Sequence, residues 1–105
     1  MNSKAPYIKQ KIKAQIYKID ANADVILFGS RARGEEREDS DWDILILTDY
    51  PTDIKIERKF RNELYNLELE SNECFSVFVY SKKEWENKQK YSPFYENVTT
   101  EGVSL

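Results

Sequence analysis

The chain has 105 residues, 40% hydrophobic and 33% charged, a composition typical of one small globular domain over residues 1–105. It contains no histidine and one cysteine, Cys74, which excludes histidine-based catalysis, histidine zinc sites, internal disulfides and thiolate metal clusters. A formal charge of −3 gives no reason to expect a nucleic-acid partner.

Two further expectations follow from local composition. No segment has the apolar length of a signal peptide or a membrane-spanning helix, so we expect a cytoplasmic protein without membrane contact. Cys74 lies beside Phe75 and Val77 in the sequence, and this apolar setting predicts a buried, inert thiol.

The first half of the chain predicts a helix and two strands. Residues 5–19 carry a helical stripe of isoleucines with lysines and glutamines on the other side. The apolar run from Asp24 to Phe28 ends at Gly29 and predicts a buried strand. Residues 30–40 are polar and predict a loop or a short helical turn, and residues 41–48 predict the second strand. The isoleucines of the stripe are Ile8, Ile12, Ile16 and Ile19.

The second half predicts a helix over residues 53–71, a strand over residues 74–80, and two shorter helices. Ser81 and Glu84 fit a capping box for a helix to about residue 89. A last helix is predicted over residues 93–101, with Gly102 after it. This order predicts an α/β (α+β) fold with one small mixed sheet and helices packed mainly on one face.

Asp41 and Asp43 stand at the start of the second predicted strand. Side chains two residues apart on a strand point to the same face, while Trp42 points to the other face and toward a core. Two neighbouring carboxylates either share a proton or bind a cation. Oxygen-only ligands suit magnesium, which takes its other ligands from water and substrate phosphates.

The turn after the first predicted strand has the composition of a phosphate-binding loop. Gly29 permits close backbone approach to a ligand, and main-chain N–H groups together with the Ser30 hydroxyl are donors for phosphate oxygens. Arg31 and Arg33 add guanidinium groups that we expect to contact phosphate or a partner. Either motif alone also fits a solvated strand edge or a basic turn, but the combination is more specific.

The spacing of these motifs resembles a known family signature. Gly29-Ser30, ten intervening residues and Asp41-Trp42-Asp43 resemble the DNA polymerase β-like nucleotidyltransferases. The short length and the form of residues 28–47 resemble the minimal nucleotidyltransferases, single catalytic cores often encoded beside a HEPN-domain partner. The end of the chain, residues 93–105, is similar to the end of such proteins.

The resemblance implies a nucleotidyltransferase core that transfers AMP from ATP to a hydroxyl. It implies that Gly29 and Ser30 bind the triphosphate, and that Asp41 and Asp43 are catalytic and hold Mg²⁺. In the toxin–antitoxin members the acceptor is a tyrosine of the HEPN toxin, a ribonuclease that AMP addition silences. We therefore expect an antitoxin that modifies a HEPN toxin within a hetero-oligomer.

One departure from the family leaves alternatives open. Such enzymes usually carry a third carboxylate on a later strand, and the position that we align with it is Ser76, a poor magnesium ligand. Glu70 or Glu73 is a possible substitute. The first alternative is a catalytically inert antitoxin that acts by binding its partner. The second is a transferase for a small molecule such as an antibiotic, although 105 residues leave no room for a second domain.

Overall fold

The computed structural model describes residues 4–37 and 39–105 of the chain. These ranges contain five helices and four strands, and they include every predicted strand and helix. Helices of this part of the chain are all too short or too polar to cross a membrane. The elements are α1 Lys4–Ile19, β1 Asp24–Phe28, α2 Ser30–Arg33, β2 Trp42–Thr48, α3 Ile54–Ser71, β3 Phe75–Ser81, α4 Lys82–Lys88, α5 Pro93–Glu101 and β4 Val103–Ser104.

The helix ends follow from side-chain capping. Asp53 accepts a hydrogen bond from the N–H of Ile56 at the start of α3, and Asn72, in the left-handed conformation, caps the end of this helix. Ser81 and Ser92 cap α4 and α5 in the same manner, which confirms the predicted starts of both helices.

The strands form one mixed sheet in the order β3-β2-β1-β4. β1 pairs antiparallel with β2 and with β4, whereas β2 and β3 are parallel and are connected by α3. This confirms the predicted mixed sheet. The short strand β4 was not predicted, because two residues carry too little pattern to indicate a strand.

The core occupies both faces of the sheet. The two long helices α1 and α3 cover one face, as predicted, and the three isoleucines Ile8, Ile12 and Ile16 are fully buried there. The shorter α4 and α5 pack on the other face, where Trp85 and Val98 join a second apolar cluster. As a result the central strand β2 is buried on both sides over most of its length.

Cys74 corrects one expectation, because its side chain is exposed rather than buried. It lies between the end of α3 at Asn72 and the first residue of β3, so it precedes the strand. Its carbonyl accepts the N–H of Trp42 at 2.8 Å, which fixes the backbone while the thiol faces solvent. The apolar residues that follow Cys74 in sequence belong to the strand and do not cover it.

Candidate functional site

Gly29 lies directly against the carboxylate of Asp43. Its backbone has φ 78° and ψ −161°, a conformation that is essentially restricted to glycine. A Cβ atom at this position would lie 2.1 Å from Asp43 Oδ2, far inside van der Waals contact. The glycine turn and the carboxylate are therefore in contact, although Asp43 is 14 positions further along the chain than Gly29.

The turn continues at once into α2, which begins at Ser30. The N–H groups of Ala32 and Arg33 bond to the carbonyl of Gly29, so they close the first turn. The opening N–H groups of any helical turn have no acceptor within the helix itself and are available to an anion. The structure therefore brings Gly29 and Ser30, the predicted triphosphate-binding residues, next to Asp43.

Asp43 lies in a row of residues that crosses three strands. It is paired with Phe28 on β1 and with Ser76 on β3, and directly paired side chains lie on the same face. Asp41 immediately precedes β2, and the Ser76 hydroxyl lies 3.5 Å from its Oδ2 atom. Trp42 points to the opposite face and is buried in the core, as the alternation predicted.

The environment of Asp43 raises its pKa above the ordinary value. Burial is the largest cause, and the nearby negative charge of Asp41 acts in the same direction. The positive charge of Arg33 and a hydrogen bond from Ser76 lower this pKa, without reversing the shift. The two aspartates thus repel each other in a partly desolvated place, which is where a bound cation is favourable.

Glu101 is a site residue that sequence reasoning did not assign. Its Oε2 atom lies 2.7 Å from a terminal nitrogen of Arg33, and its charge also raises the pKa of Asp43. Arg33 makes a second, longer contact of 3.4 Å with Glu35. The contact between Arg33 and Glu101 spans 68 residues, and the only local signal was that Glu101 ends the last helix beside Gly102.

Arg31 has partners other than the predicted phosphate. Its side chain is 2% exposed, and two of its nitrogens bond to the carbonyl of Ser40 at 3.1 and 2.9 Å. The guanidinium also lies over the ring of Trp42 at 4.4 Å and 3.6 Å from a carboxylate oxygen of Glu73. Arg31 therefore fixes the segment that leads into Asp41, and its predicted contact with phosphate or a partner stays a prediction.

The two substitutes considered for the third carboxylate are engaged elsewhere. Glu73 forms ion pairs with Arg31 and with Lys4, at 3.6 and 3.5 Å. Glu70 accepts a hydrogen bond from the hydroxyl of Tyr7 on α1. The residue beside Asp43 on β3 is Ser76, at the position aligned from the sequence.

The donor set fits Mg²⁺ with two protein carboxylates. Asp41 and Asp43 supply oxygen ligands only, and Mg²⁺ is usually bound by one or two carboxylates together with water and substrate phosphates. Within residues 4–37 and 39–105, no group of three or more His, Cys, Asp or Glu side chains forms a metal site. A Mg²⁺ ion held by Asp41 and Asp43 would take its remaining ligands from water and substrate phosphates.

A mixed sheet with a glycine turn against paired carboxylates is the architecture expected of a nucleotidyltransferase fold. Residues 8–98 match the family model described as nucleotidyltransferase domain, and this match covers most of the chain. The chain belongs to the nucleotidyltransferase-domain family. No curated protein sequence matches it.

Two solved structures share the fold. One is described as a toxin–antitoxin with AMP-PNP; it is 18% identical, with a TM-score of 0.59 over 88% of this chain and 70% of that one. The other is the toxin–antitoxin MntA–HpeT with a tyrosine-to-alanine substitution, also 18% identical, with a TM-score of 0.62 over 92% and 70%. At this identity the likeness defines the fold.

Proposed function

We propose that this chain is a magnesium-dependent nucleotidyltransferase that transfers AMP from ATP to a hydroxyl group of a partner protein. The observation that carries the proposal is the contact between Gly29 and Asp43. It brings a turn suited to phosphate within reach of a carboxylate pair suited to Mg²⁺.

Each site residue has a role in this proposal. Asp41 and Asp43 hold the metal, and the turn at Gly29 and Ser30 binds the triphosphate through main-chain N–H groups and a hydroxyl. Arg33, whose side chain is partly exposed, neutralises phosphate charge. Bound Mg²⁺ would supply neutralisation of the charge that develops on the transferring group and on the leaving group.

The reaction itself is an in-line displacement at phosphorus. The acceptor oxygen forms a bond to the α-phosphorus while the bond from that phosphorus to the bridging oxygen breaks, and pyrophosphate leaves with the electron pair. The proton of the acceptor hydroxyl passes to solvent. The protein contributes mainly by positioning the groups, and this requires the rigid placement that the buried strand β2 gives to Asp43.

We further propose that the partner is a HEPN toxin and that the acceptor is one of its tyrosines, so that this chain is the antitoxin. Two observations support this: the resemblance of residues 28–47 to the minimal nucleotidyltransferases, and the fold shared with two toxin–antitoxin structures. The descriptions of those structures include AMP-PNP in one and a tyrosine-to-alanine substitution in the other.

Nucleotide binding tests the proposal first. Titration calorimetry with AMP-PNP, with and without Mg²⁺, is expected to show magnesium-dependent binding by the wild type and its loss in Asp43→Asn. Glu63→Gln on α3 is a matched control, since it removes one carboxylate from a helix on the other face of the sheet. Equal binding by wild type and Asp43→Asn would refute the metal site.

A catalytically inert antitoxin is the second candidate, and Ser76 is the observation that favours it. Ser76 is paired with Asp43 on β3, and the resemblance to the family implies a third carboxylate at this position. Loss of a group that takes part in proton transfer costs a factor of about 10²–10⁴ in rate. A protein with only two carboxylates would then neutralise its partner by contact.

The two candidates differ in their response to the aspartates. If this chain is an enzyme, Asp41→Asn abolishes both the transfer of labelled AMP to the partner and neutralisation of the partner. If it is an inert antitoxin, neutralisation survives in Asp41→Asn and needs no nucleotide. Ser76→Asp then serves as a gain-of-function variant, in which measurable AMP transfer would appear only if the remaining site is competent.

A further inference from the structure

An aromatic cluster borders the carboxylates on the same sheet face. Phe28 is paired with Asp43 across β1 and β2, and Phe78 is the next residue after Ser76 on this face of β3. The ring centroids of Phe28 and Phe78 are 5.9 Å apart. Phe94 of α5 packs against both rings at 5.4 and 5.1 Å, so the three rings form one continuous apolar surface.

Phe78 is the most solvent-exposed of the three rings. It is 37% exposed, whereas Phe28 is 9% exposed. Phe78 lies on β3, the strand at the edge of the sheet, about 6.6 Å along the strand from Ser76. Phe78 is supported by Phe28 and Phe94 and is exposed to solvent next to the carboxylates. Such a ring can stack on a flat ligand group or contact it edge to face.

The position of the triphosphate determines which ligand group lies near Phe78. Gly29 and Ser30 follow β1, so in the proposed function the leaving pyrophosphate lies on the β1 side of Asp43. In-line displacement places the attacking oxygen opposite the leaving group. The opposite side of Asp43 is the β3 side, where Ser76 and Phe78 are found.

We propose that Phe78 binds the acceptor, and that its open ring favours a phenol side chain over an aliphatic hydroxyl. This inference rests on the proposed function and adds the recognition of the acceptor class. A tyrosine ring packed on Phe78 would enter from the free edge of the sheet, with its hydroxyl directed toward Asp43. The serine at position 76 leaves more room for that hydroxyl than a carboxylate would.

The test measures acceptor binding separately from nucleotide binding. The acceptor probe is p-cresol, titrated by NMR into the 105-residue protein with AMP-PNP and Mg²⁺, while the nucleotide affinity of each variant is measured by calorimetry. Phe78→Leu keeps the apolar bulk but removes the ring, and Phe78→Tyr keeps the ring. Tyr65→Leu is the matched control, because Tyr65 is an exposed aromatic residue on α3, which packs on the other face.

We expect Phe78→Leu to weaken p-cresol binding roughly 2- to 10-fold, the range of an aromatic pair, without changing AMP-PNP affinity. Phe78→Tyr is expected to restore p-cresol binding, and Tyr65→Leu to leave it unchanged. Equal p-cresol affinity in wild type and Phe78→Leu would overturn the inference. Weakened AMP-PNP binding in Phe78→Leu would also overturn it, since the ring would then contact the nucleobase.

Failure of the proposed function gives a different result. In that case AMP-PNP binds none of the proteins, the wild type included. If AMP-PNP binds every variant and only the p-cresol result is negative, the inference about Phe78 fails and the nucleotidyltransferase proposal stands.

Discussion

Replacing Gly29 by alanine perturbs the centre of the site with a single methyl group. The new carbon would lie 2.1 Å from Oδ2 of Asp43 and 3.0 Å from its Cγ. Asp43 has little room to retreat, because it is on the central strand between Phe28 and Ser76. Either the turn or the carboxylate must move.

The expected cost has a backbone part and a site part. A non-glycine residue at φ 78° and ψ −161° costs about 1–3 kcal/mol, which lowers the Tm of a domain of this size by on the order of 10 °C. Displacement of a catalytic group by about 1 Å can lower the rate by about 10²-fold. We therefore expect Gly29→Ala to lose both stability and magnesium-dependent nucleotide binding.

Gly34→Ala is the matched control. Gly34 also has a positive φ, 75°, but a Cβ atom there meets nothing within 4 Å. The left-handed conformation costs alanine about 1–2 kcal/mol, so stability falls by a comparable amount while Asp43 is undisturbed. Nucleotide binding is therefore the measurement that separates the two variants.

The assay combines urea denaturation, to measure the free energy of unfolding, with calorimetric titration of AMP-PNP and Mg²⁺ into folded protein. Gly29→Ala is expected to be folded at low temperature and to bind AMP-PNP with Mg²⁺ more weakly than Gly34→Ala, and any AMP transfer that it retains is expected to be about 10²-fold slower. If both alanine variants bind nucleotide with the wild-type affinity, the contact between Gly29 and Asp43 does not organise the site.

Three other predictions concern the charges. Burial in the folded state raises the pKa of Asp43 above its ordinary value of 3.8, so ionisation of this carboxyl destabilises the metal-free fold as pH rises. Asp43→Asn should therefore have a higher Tm than the wild type at pH 7, and this difference in Tm should disappear below about pH 4. An unchanged Tm at pH 7 would contradict this. Arg33→Gln removes a charge that lowers the pKa of Asp43, so carboxyl NMR should show that pKa rising further, and a fall would contradict the assignment. Arg31→Met removes the donor to the Ser40 carbonyl and one of the two cations that pair with Glu73, and it should cost about 2–4 kcal/mol in urea denaturation. Arg31→Lys should not restore this stability, because lysine lacks the planar guanidinium group with its several N–H donors. Full restoration would show that the geometry of these donors does not matter.

The fold was predictable where the sequence repeats a simple period. The four isoleucines of the predicted stripe recur at helical spacing in α1; Ile8, Ile12 and Ile16 are fully buried, and Ile19 is partly buried against the same core. The strands β1 and β2 are short apolar runs between a polar residue and a turn, and their positions agree within one residue. Local patterns of this kind report on burial directly.

The carboxylate pair was also predictable, because Asp41 and Asp43 are close in sequence. The partners of the arginines were not predictable, since Arg31 and Arg33 are two residues apart but are directed to opposite environments. One is buried over Trp42, and the other is held at the site by Glu101 from the end of the chain. The contact between Arg33 and Glu101 joins residues 68 positions apart and depends on how α5 packs, so no repeating pattern in the sequence predicts it.

The burial of β2 on both faces links the site to the global unfolding of the protein. Asp43 belongs to a strand with a neighbour on each side, so this carboxylate cannot be released by fraying at a sheet edge. Any ligand held there would stabilise the whole domain by mass action, by about 2.7 kcal/mol when its concentration is 100 times Kd. A simple thermal-shift screen of nucleotides, metals and acceptor peptides should therefore rank the natural substrates even in a variant that is too slow for any turnover assay.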